Sequence, residues 1–260
     1  MNWFESLILG ILQGLTEFLP ISSSGHLELG KHFLNVEARE SLQFTVVVHG
    51  ATVISTIVVF WKEITFVMKD LFRFRWNEGT RYILKILLSM IPVIIVGIFF
   101  KPEIERLFTA NVRLVGLMLI VTSALLAIAY FSKPSGKEIP YSNALVIGIA
   151  QAFAVIPGIS RSGATIATGL ILRNKRDEVA RFSFLMVLLP IIGANILDLV
   201  TSENGNNVEV GAIHLIIGFV AAFIVGLIAC RWMIRIVRRG ELIYFAFYCL
   251  ILGLIALIVG

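Results

Sequence analysis

The sequence predicts an all-α polytopic membrane protein, with six transmembrane helices and two re-entrant helical hairpins arranged as inverted-topology repeats. Three observations predict it. Of the 260 residues, 58% are hydrophobic and only 15% charged, whereas a soluble domain carries roughly a quarter charged residues. The apolar residues fall in runs of bilayer length. Two further apolar regions, each broken by Pro, Gly and Ser, are copies of one another at a constant offset of 138 positions.

In chain order, the first region, 2–34, is interrupted by Pro20-Ile21-Ser22-Ser23-Ser24-Gly25. Each half is too short or too polar to span, so the segment is expected to enter and leave by one face. Non-helical backbone at membrane depth is tolerated where protein or water surrounds it. Spans are expected at about 42–61, 81–100 and 112–131, each about 20 residues and so about 30 Å long. The second broken region, 141–174, is interrupted by Pro157-Gly158-Ile159-Ser160-Arg161-Ser162-Gly163, and spans follow at about 178–199, 211–230 and 241–259. The offset lays Gly10-Ile11-x-Gln13 on Gly148-Ile149-x-Gln151, and Ile21-Ser22-x-Ser24-Gly25 on Ile159-Ser160-x-Ser162-Gly163. Residues 1–260 thus read as one membrane domain, with repeat one at about 1–131 and repeat two at about 141–260. Three spans per repeat is an odd number, so the second repeat is inserted upside down.

Charge placement agrees. With residues 1–41 outside, fifteen Lys and Arg fall in inside loops and five outside, which fixes both termini outside by the positive-inside rule. The net charge of +5 therefore reflects membrane orientation, and membrane lipids are expected partners while nucleic acid is not. Glu5 and the lack of Lys or Arg in the first ten residues argue against a cleaved signal peptide. Cys230 and Cys249 lie in apolar runs and read as packing residues. With the hairpins entering from opposite faces, their tips are expected to meet near the midplane, a known membrane design.

The first tip offers Glu17, Ser22, Ser23, Ser24, Gly25 and His26; the second offers Ser160, Arg161, Ser162 and Gly163. A guanidinium at membrane depth is costly unless paired or hydrated, and its donors fit phosphate or carboxylate. Arg161 thus either pairs with Glu17 structurally or faces a polar cavity and holds phosphate oxygens, the latter being favoured. Gly25 and Gly163 stand where the chain enters a short helix, whose free N–H groups can hold an anion; capping and small-residue packing also account for such runs. Gln13 and Glu17, four residues apart, share a helix face. The Glu17 carboxylate can activate a nucleophile, orient His26 or help to hold a divalent cation. Ser23 and His26 are both candidate nucleophiles for phosphorus. His32 and His214 read as interfacial, whereas His49 falls within a span with no polar counterpart in the second repeat.

The runs Gln13-Gly14-Leu15-Thr16-Glu17-Phe18-Leu19-Pro20-Ile21-Ser22-Ser23-Ser24-Gly25-His26 and Pro157-Gly158-Ile159-Ser160-Arg161-Ser162-Gly163-Ala164-Thr165 resemble the signature motifs of the bacterial undecaprenyl-pyrophosphate phosphatase family, also known as the BacA bacitracin-resistance family. The likeness extends over essentially the whole chain, including Phe182-Ser183-Phe184-Leu185. It implies hydrolysis of a polyprenyl pyrophosphate lipid to the monophosphate carrier and inorganic phosphate, in recycling of the cell-wall lipid carrier. It also implies a divalent cation, Mg2+ or Ca2+, and a site open to the outer face of the cytoplasmic membrane. Carried across, Glu17 and His26 are catalytic and Arg161 binds the pyrophosphate. Ser22, Ser23, Ser24, Ser160 and Ser162 line the site. The family's first motif begins with Glu or Gln, and Gln13 stands there, among the substrate-binding positions. A homodimer is compatible with this reading. The competing class is a transporter or flippase of a phosphate-bearing lipid or anion using the same midplane site, since inverted repeats also build transporters.

Overall fold

The computed structural model describes the whole chain except residues 35, 37, 74, 101, 104–111, 134–135, 203–209 and 260, with backbone alone described at 28–29, 32–33, 38–42, 194–202 and 259. Basic positions Lys101 and Arg106, and most of the loop before 210 that is expected outside, lie outside the described residues, as does the His32 side chain.

The described chain is helical, with an isolated Lys137–Asn174 bridge. Helix α1 (Trp3–Thr16) opens on a capping box, in which the Asn2 side chain accepts from the N–H of Phe4 and Glu5 while Glu5 accepts from Asn2 N at 2.7 Å. This reciprocal arrangement satisfies donors that a helix start leaves orphaned. After the turn at 17–21 comes α2 (Ser23–Phe33), then α3 (Ala38–Val59), α4 (Trp61–Leu71), α5 (Glu78–Phe99) and α6 (Val112–Phe131). The second half runs α7 (Tyr141–Phe153), α8 (Arg161–Ile171), α9 (Arg176–Ser202), α10 (Ala212–Arg239) and α11 (Ile243–Val259). Both broken regions are therefore helix–break–helix, as expected from their Pro, Gly and Ser.

Among the described residues, α5, α6 and α10 are long and apolar enough to cross a membrane, and a fourth span results if α3 and α4 are taken together. Two boundaries differ from the sequence reading. The helical run from 43 breaks at Phe60, and α4 follows where only a loop was expected. Its Lys62, Glu63, Lys69 and Asp70 dilute hydropathy in a long window, so an amphipathic helix escapes a search for spans. Helix α10 continues nine residues past 230. There Cys230, Met233, Ile236 and Val237 recur on one helical face and are all buried, so a packed stripe carries the helix on where overall hydropathy falls.

The chain divides into two compact units. One comprises Met1–Leu19, Ser23–Val59 and Leu188–Met233; the other comprises Pro20–Ser22, Phe60–Val187 and Ile234–Gly260. In the first, α1 lies against α10. A Cβ on Gly10 would meet the Gly218 carbonyl oxygen at 2.5 Å, and one on Gly14 would meet the Ala222 oxygen at 2.6 Å. Ser55 Oγ on α3 donates to the Phe223 carbonyl at 2.9 Å, and Phe44 is fully buried against Gly218. In the second unit, α7 lies against α5 through Gly148 and the Ser89 backbone, and α6 lies against α11 through Gly116 and Gly253. Ser123 Oγ donates to the Ala246 carbonyl at 2.7 Å. Hydrocarbon gives helices no hydrophobic reason to associate, so close approach of backbones over small residues and interhelical hydrogen bonds take over. Gly10 and Gly148, a pair related by the 138-residue offset, perform the same packing role in separate units.

Candidate active site

The first hairpin gathers its polar groups where α1 ends. Thr16 closes the helix, the Glu17 N–H still donates to Gln13 O at 3.0 Å, and the chain then turns through Pro20. One helical turn separates Gln13 from Glu17, so the two side chains meet: Gln13 Nε2 donates to Glu17 Oε2 at 2.9 Å. Ser23, the first residue of α2, points back at the same carboxylate and donates from Oγ to Glu17 Oε2 at 2.7 Å. His26 follows one turn later on α2 and is buried. Ser22, just before the helix, has a φ of 70°, a left-handed conformation that costs a residue bearing a Cβ roughly 1–2 kcal/mol. Strain of this kind concentrates at functional sites, and here it turns the chain so that Ser23 begins α2 facing Glu17.

His49 was not assigned to the site by sequence reasoning, yet α3 brings it there. Its Nδ1 lies 2.9 Å from the Thr45 carbonyl oxygen and its Nε2 lies 3.7 Å from Glu17 Oε2. The signal was available, since an ionisable side chain within a span is costly and marks a function by default. Helix α3 had to be placed beside α1 before the partner was visible.

The second hairpin is built on different contacts. Ser160 caps α8: its Oγ accepts from the Gly163 N–H at 3.1 Å and lies 3.2 Å from Ser162 Oγ. The Ser160 N–H donates to Thr122 Oγ1 on α6 at 3.2 Å, a contact with no sequence signature. The Gly163 N–H is thus engaged by the Ser160 cap, the role that capping offered beside anion binding. Arg161 occupies the first position of α8 and is partly exposed. Gly158, with φ of 97°, makes the preceding turn; a Cβ there would meet the Val115 carbonyl oxygen at 2.6 Å, so only Gly fits. Part of the first break belongs with this tip. A Cβ on Gly163 would stand 3.2 Å from Pro20 Cβ, and the Pro20 carbonyl accepts from Cys249 Sγ at 3.5 Å.

Two buried amide oxygens have no hydrogen-bond partner among the described residues: Gln13 Oε1 and Gln151 Oε1. They are the same position in the two repeats. The amide nitrogens differ, since Gln13 Nε2 serves Glu17 while Gln151 Nε2 approaches only the Met90 sulfur at 3.9 Å. Among the described residues no three His, Cys, Asp or Glu gather as a metal cluster. Among the described side chains, a cation at the first tip would meet one carboxylate, Glu17, with the orphaned Gln13 oxygen one helical turn before it.

Comparison with known proteins gives these features a setting. The family model for bacitracin resistance protein BacA matches residues 6–255. An undecaprenyl-diphosphatase of Parabacteroides distasonis is 54% identical over 99% of this chain and 98% of its own length. One of Bacteroides fragilis is 52% identical over 100% of this chain and 99% of its own. A more distant undecaprenyl-diphosphatase, of Halothermothrix orenii, is 39% identical with the same coverage, 100% and 99%. With the match running past both hairpins and through every helix between them, the chain belongs to the bacitracin resistance protein BacA family.

Proposed function

We propose that this chain is an undecaprenyl-diphosphatase, a membrane phosphatase that hydrolyses undecaprenyl pyrophosphate to undecaprenyl phosphate and inorganic phosphate. The observation that carries the chemistry is the 2.7 Å hydrogen bond from Ser23 Oγ to Glu17 Oε2, a nucleophile and base already within proton-transfer reach. The printed names of full-length relatives at 52–54% identity supply the substrate. Transport alone needs no such pair.

In this reading Ser23 Oγ attacks the terminal phosphorus as its proton passes to Glu17. The bond from that phosphorus to the bridging oxygen breaks, and undecaprenyl phosphate departs with the oxygen. Water then attacks the phosphoserine, with His26 taking its proton, and the Ser23 oxygen regains a proton as inorganic phosphate leaves. Arg161 holds pyrophosphate oxygens, and the hydroxyls of Ser22, Ser24, Ser160 and Ser162 add donors around them. The residues fit a hard divalent cation, Mg2+ or Ca2+. Glu17 and the orphaned Gln13 Oε1 are oxygen donors, and a partial protein shell completed by phosphate and water suits such ions. When bound, the cation would neutralise charge on the pyrophosphate. Six spans with two re-entrant hairpins, both termini outside and a site open to the outer face of the cytoplasmic membrane complete the proposal, supported by the 15-to-5 distribution of basic residues.

Phosphate release from undecaprenyl pyrophosphate by the purified protein in detergent tests it, with chelator as a second arm. Release above a Glu17→Ala control, abolished by chelator and restored by Mg2+, is expected. Radiolabelled substrate quenched in acid should leave label on Ser23. Label on His26, or none at all, would overturn the assignment of the nucleophile.

A further inference from the structure

A cavity of about 360 Å³ opens in the second unit, lined by neither break, between α4, the first turns of α5 and α9, and the segment before α7. Its lining has both signs of charge. Arg81, Lys85, Lys175 and Arg181 face it, and so do the carboxylates of Glu63, Glu138 and Glu178. Lys85 and Lys175 act on the Glu178 carboxylate through space, but the two sets do not close into contact pairs. Among the described residues, none of the four cations makes an ion pair within contact distance, and Lys85 stands 5.9 Å from the centre of the Tyr141 ring. Glu178 accepts from the Ile139 N–H at 3.0 Å. Tyr82 lines the same cavity and keeps a buried hydroxyl with no hydrogen-bond partner among the described residues. A buried polar group in that state calls for a partner.

The cavity also has an apolar edge. Phe66 lines it while being 55% exposed, and Leu185 lies on its wall. Helix α4 continues this edge outward with exposed Trp61 and Met68, followed by Phe72 and Trp76. Lys62, Lys69, Arg73 and Arg75 are interspersed among them. Exposed aromatics alternating with basic residues on an amphipathic helix mark the membrane–water interface.

Helix-start acids account for Glu63, Glu78, Asp177 and Glu178, which complement the helix dipoles. They do not account for Glu138, the four cations or the Tyr82 hydroxyl. A simple anion would be opposed by the carboxylates, and a simple cation by the guanidinium and ammonium groups. A soluble zwitterion would leave the apolar edge unexplained. We propose that the cavity seats the headgroup of an amine-bearing phospholipid, of the phosphatidylethanolamine class. Its phosphate takes donors from the cations and Tyr82, its ammonium donates to the carboxylates, and its acyl chains leave past Phe66. The proposal goes beyond the phosphatase reading and rests on it for nothing except the membrane orientation, which puts this face inside.

Native mass spectrometry of the full-length protein tests it, with phosphatidylethanolamine, phosphatidylglycerol and free phosphoethanolamine as probes. Retention of phosphatidylethanolamine several-fold above phosphatidylglycerol is expected. That preference should vanish in a Lys175→Glu, Arg181→Glu double variant and weaken in Tyr82→Phe, which preserves volume and removes only the hydroxyl. Equal retention of the two lipids by the unsubstituted protein would overturn the proposal. So would unchanged preference in Tyr82→Phe together with a folded double variant, or displacement of the lipid by millimolar phosphoethanolamine, which would mark a soluble-ligand site. Phosphate release is measured separately, so a failed phosphatase assay leaves the lipid result standing.

Discussion

The α1–α2 and α7–α8 hairpins begin from one sequence plan, Gly-Ile-x-Gln followed eight residues later by Ile-Ser-x-Ser-Gly, yet matching positions carry different groups. Glu17 corresponds to Val155, Ser23 to Arg161 and His26 to Ala164. The first hairpin holds a carboxylate that accepts from Gln13 and Ser23, with His49 close by. The second has no acid in its break; there Ser160 caps α8 while Thr122 receives the Ser160 N–H. Duplication therefore preserved a helix–break–helix backbone, while divergence placed an acid, a serine and a histidine on one copy and a fixed positive charge on the other. The proposed phosphatase reading assigns a separate part of phosphoryl transfer to each: nucleophile and base to the first, charge stabilisation to the second.

The largest expected effect breaks the comparison at its reactive side. Ser23→Ala removes the hydroxyl that meets Glu17 at 2.7 Å, and turnover should fall on the order of 10³-fold or more with little change in KM. Arg161→Ala tests the other side. Loss of one donor that steadies developing charge costs on the order of 10²–10³ in rate. Arg161→Lys should restore part of it, because a point charge replaces a fork of donors. If Arg161→Ala changed neither kcat nor KM, the division of labour between the hairpins would fail.

Much of this was legible in the residues. Ser, Gly and Pro in the middle of two apolar runs announced both breaks, and the Gln13 to Glu17 spacing announced their shared face. The legible features were local, set within one or two helical turns. What escaped depends on tertiary packing. His49 reaches Glu17 only because α3 lies beside α1, and Thr122 reaches Ser160 only because α6 lies beside α8. Helix α4 escaped for a different reason: its apolar residues cover one face, and averaging over a span-length window erases that.

The packing that supports each hairpin offers a smaller effect. Gly10 and Gly148 both leave no room for a side chain, the first against Gly218 and the second against the Ser89 backbone. An Ala at either place forces two helices apart, at a cost of about 1–3 kcal/mol. Thermal unfolding in detergent should show similar losses for Gly10→Ala and Gly148→Ala. A loss confined to one of them would show that the repeats do not share this support.

The smallest effect separates the hairpins by sign. Ser160→Ala deletes the cap that Gly163 N–H uses and should lower stability by about 1 kcal/mol. The matching position in the first hairpin, Ser22, holds a φ of 70°, which Gly adopts without strain. Ser22→Gly should therefore raise stability by about 1 kcal/mol, offset in part by the extra freedom Gly has when unfolded. Phosphate release measured on the same preparations completes the test. If the Ser22 hydroxyl contributes a donor to the pyrophosphate, Ser22→Gly gains stability and loses rate together, as expected where strain is kept for function. A variant that is both more stable and equally active would mean that the strain at Ser22 serves only to begin α2.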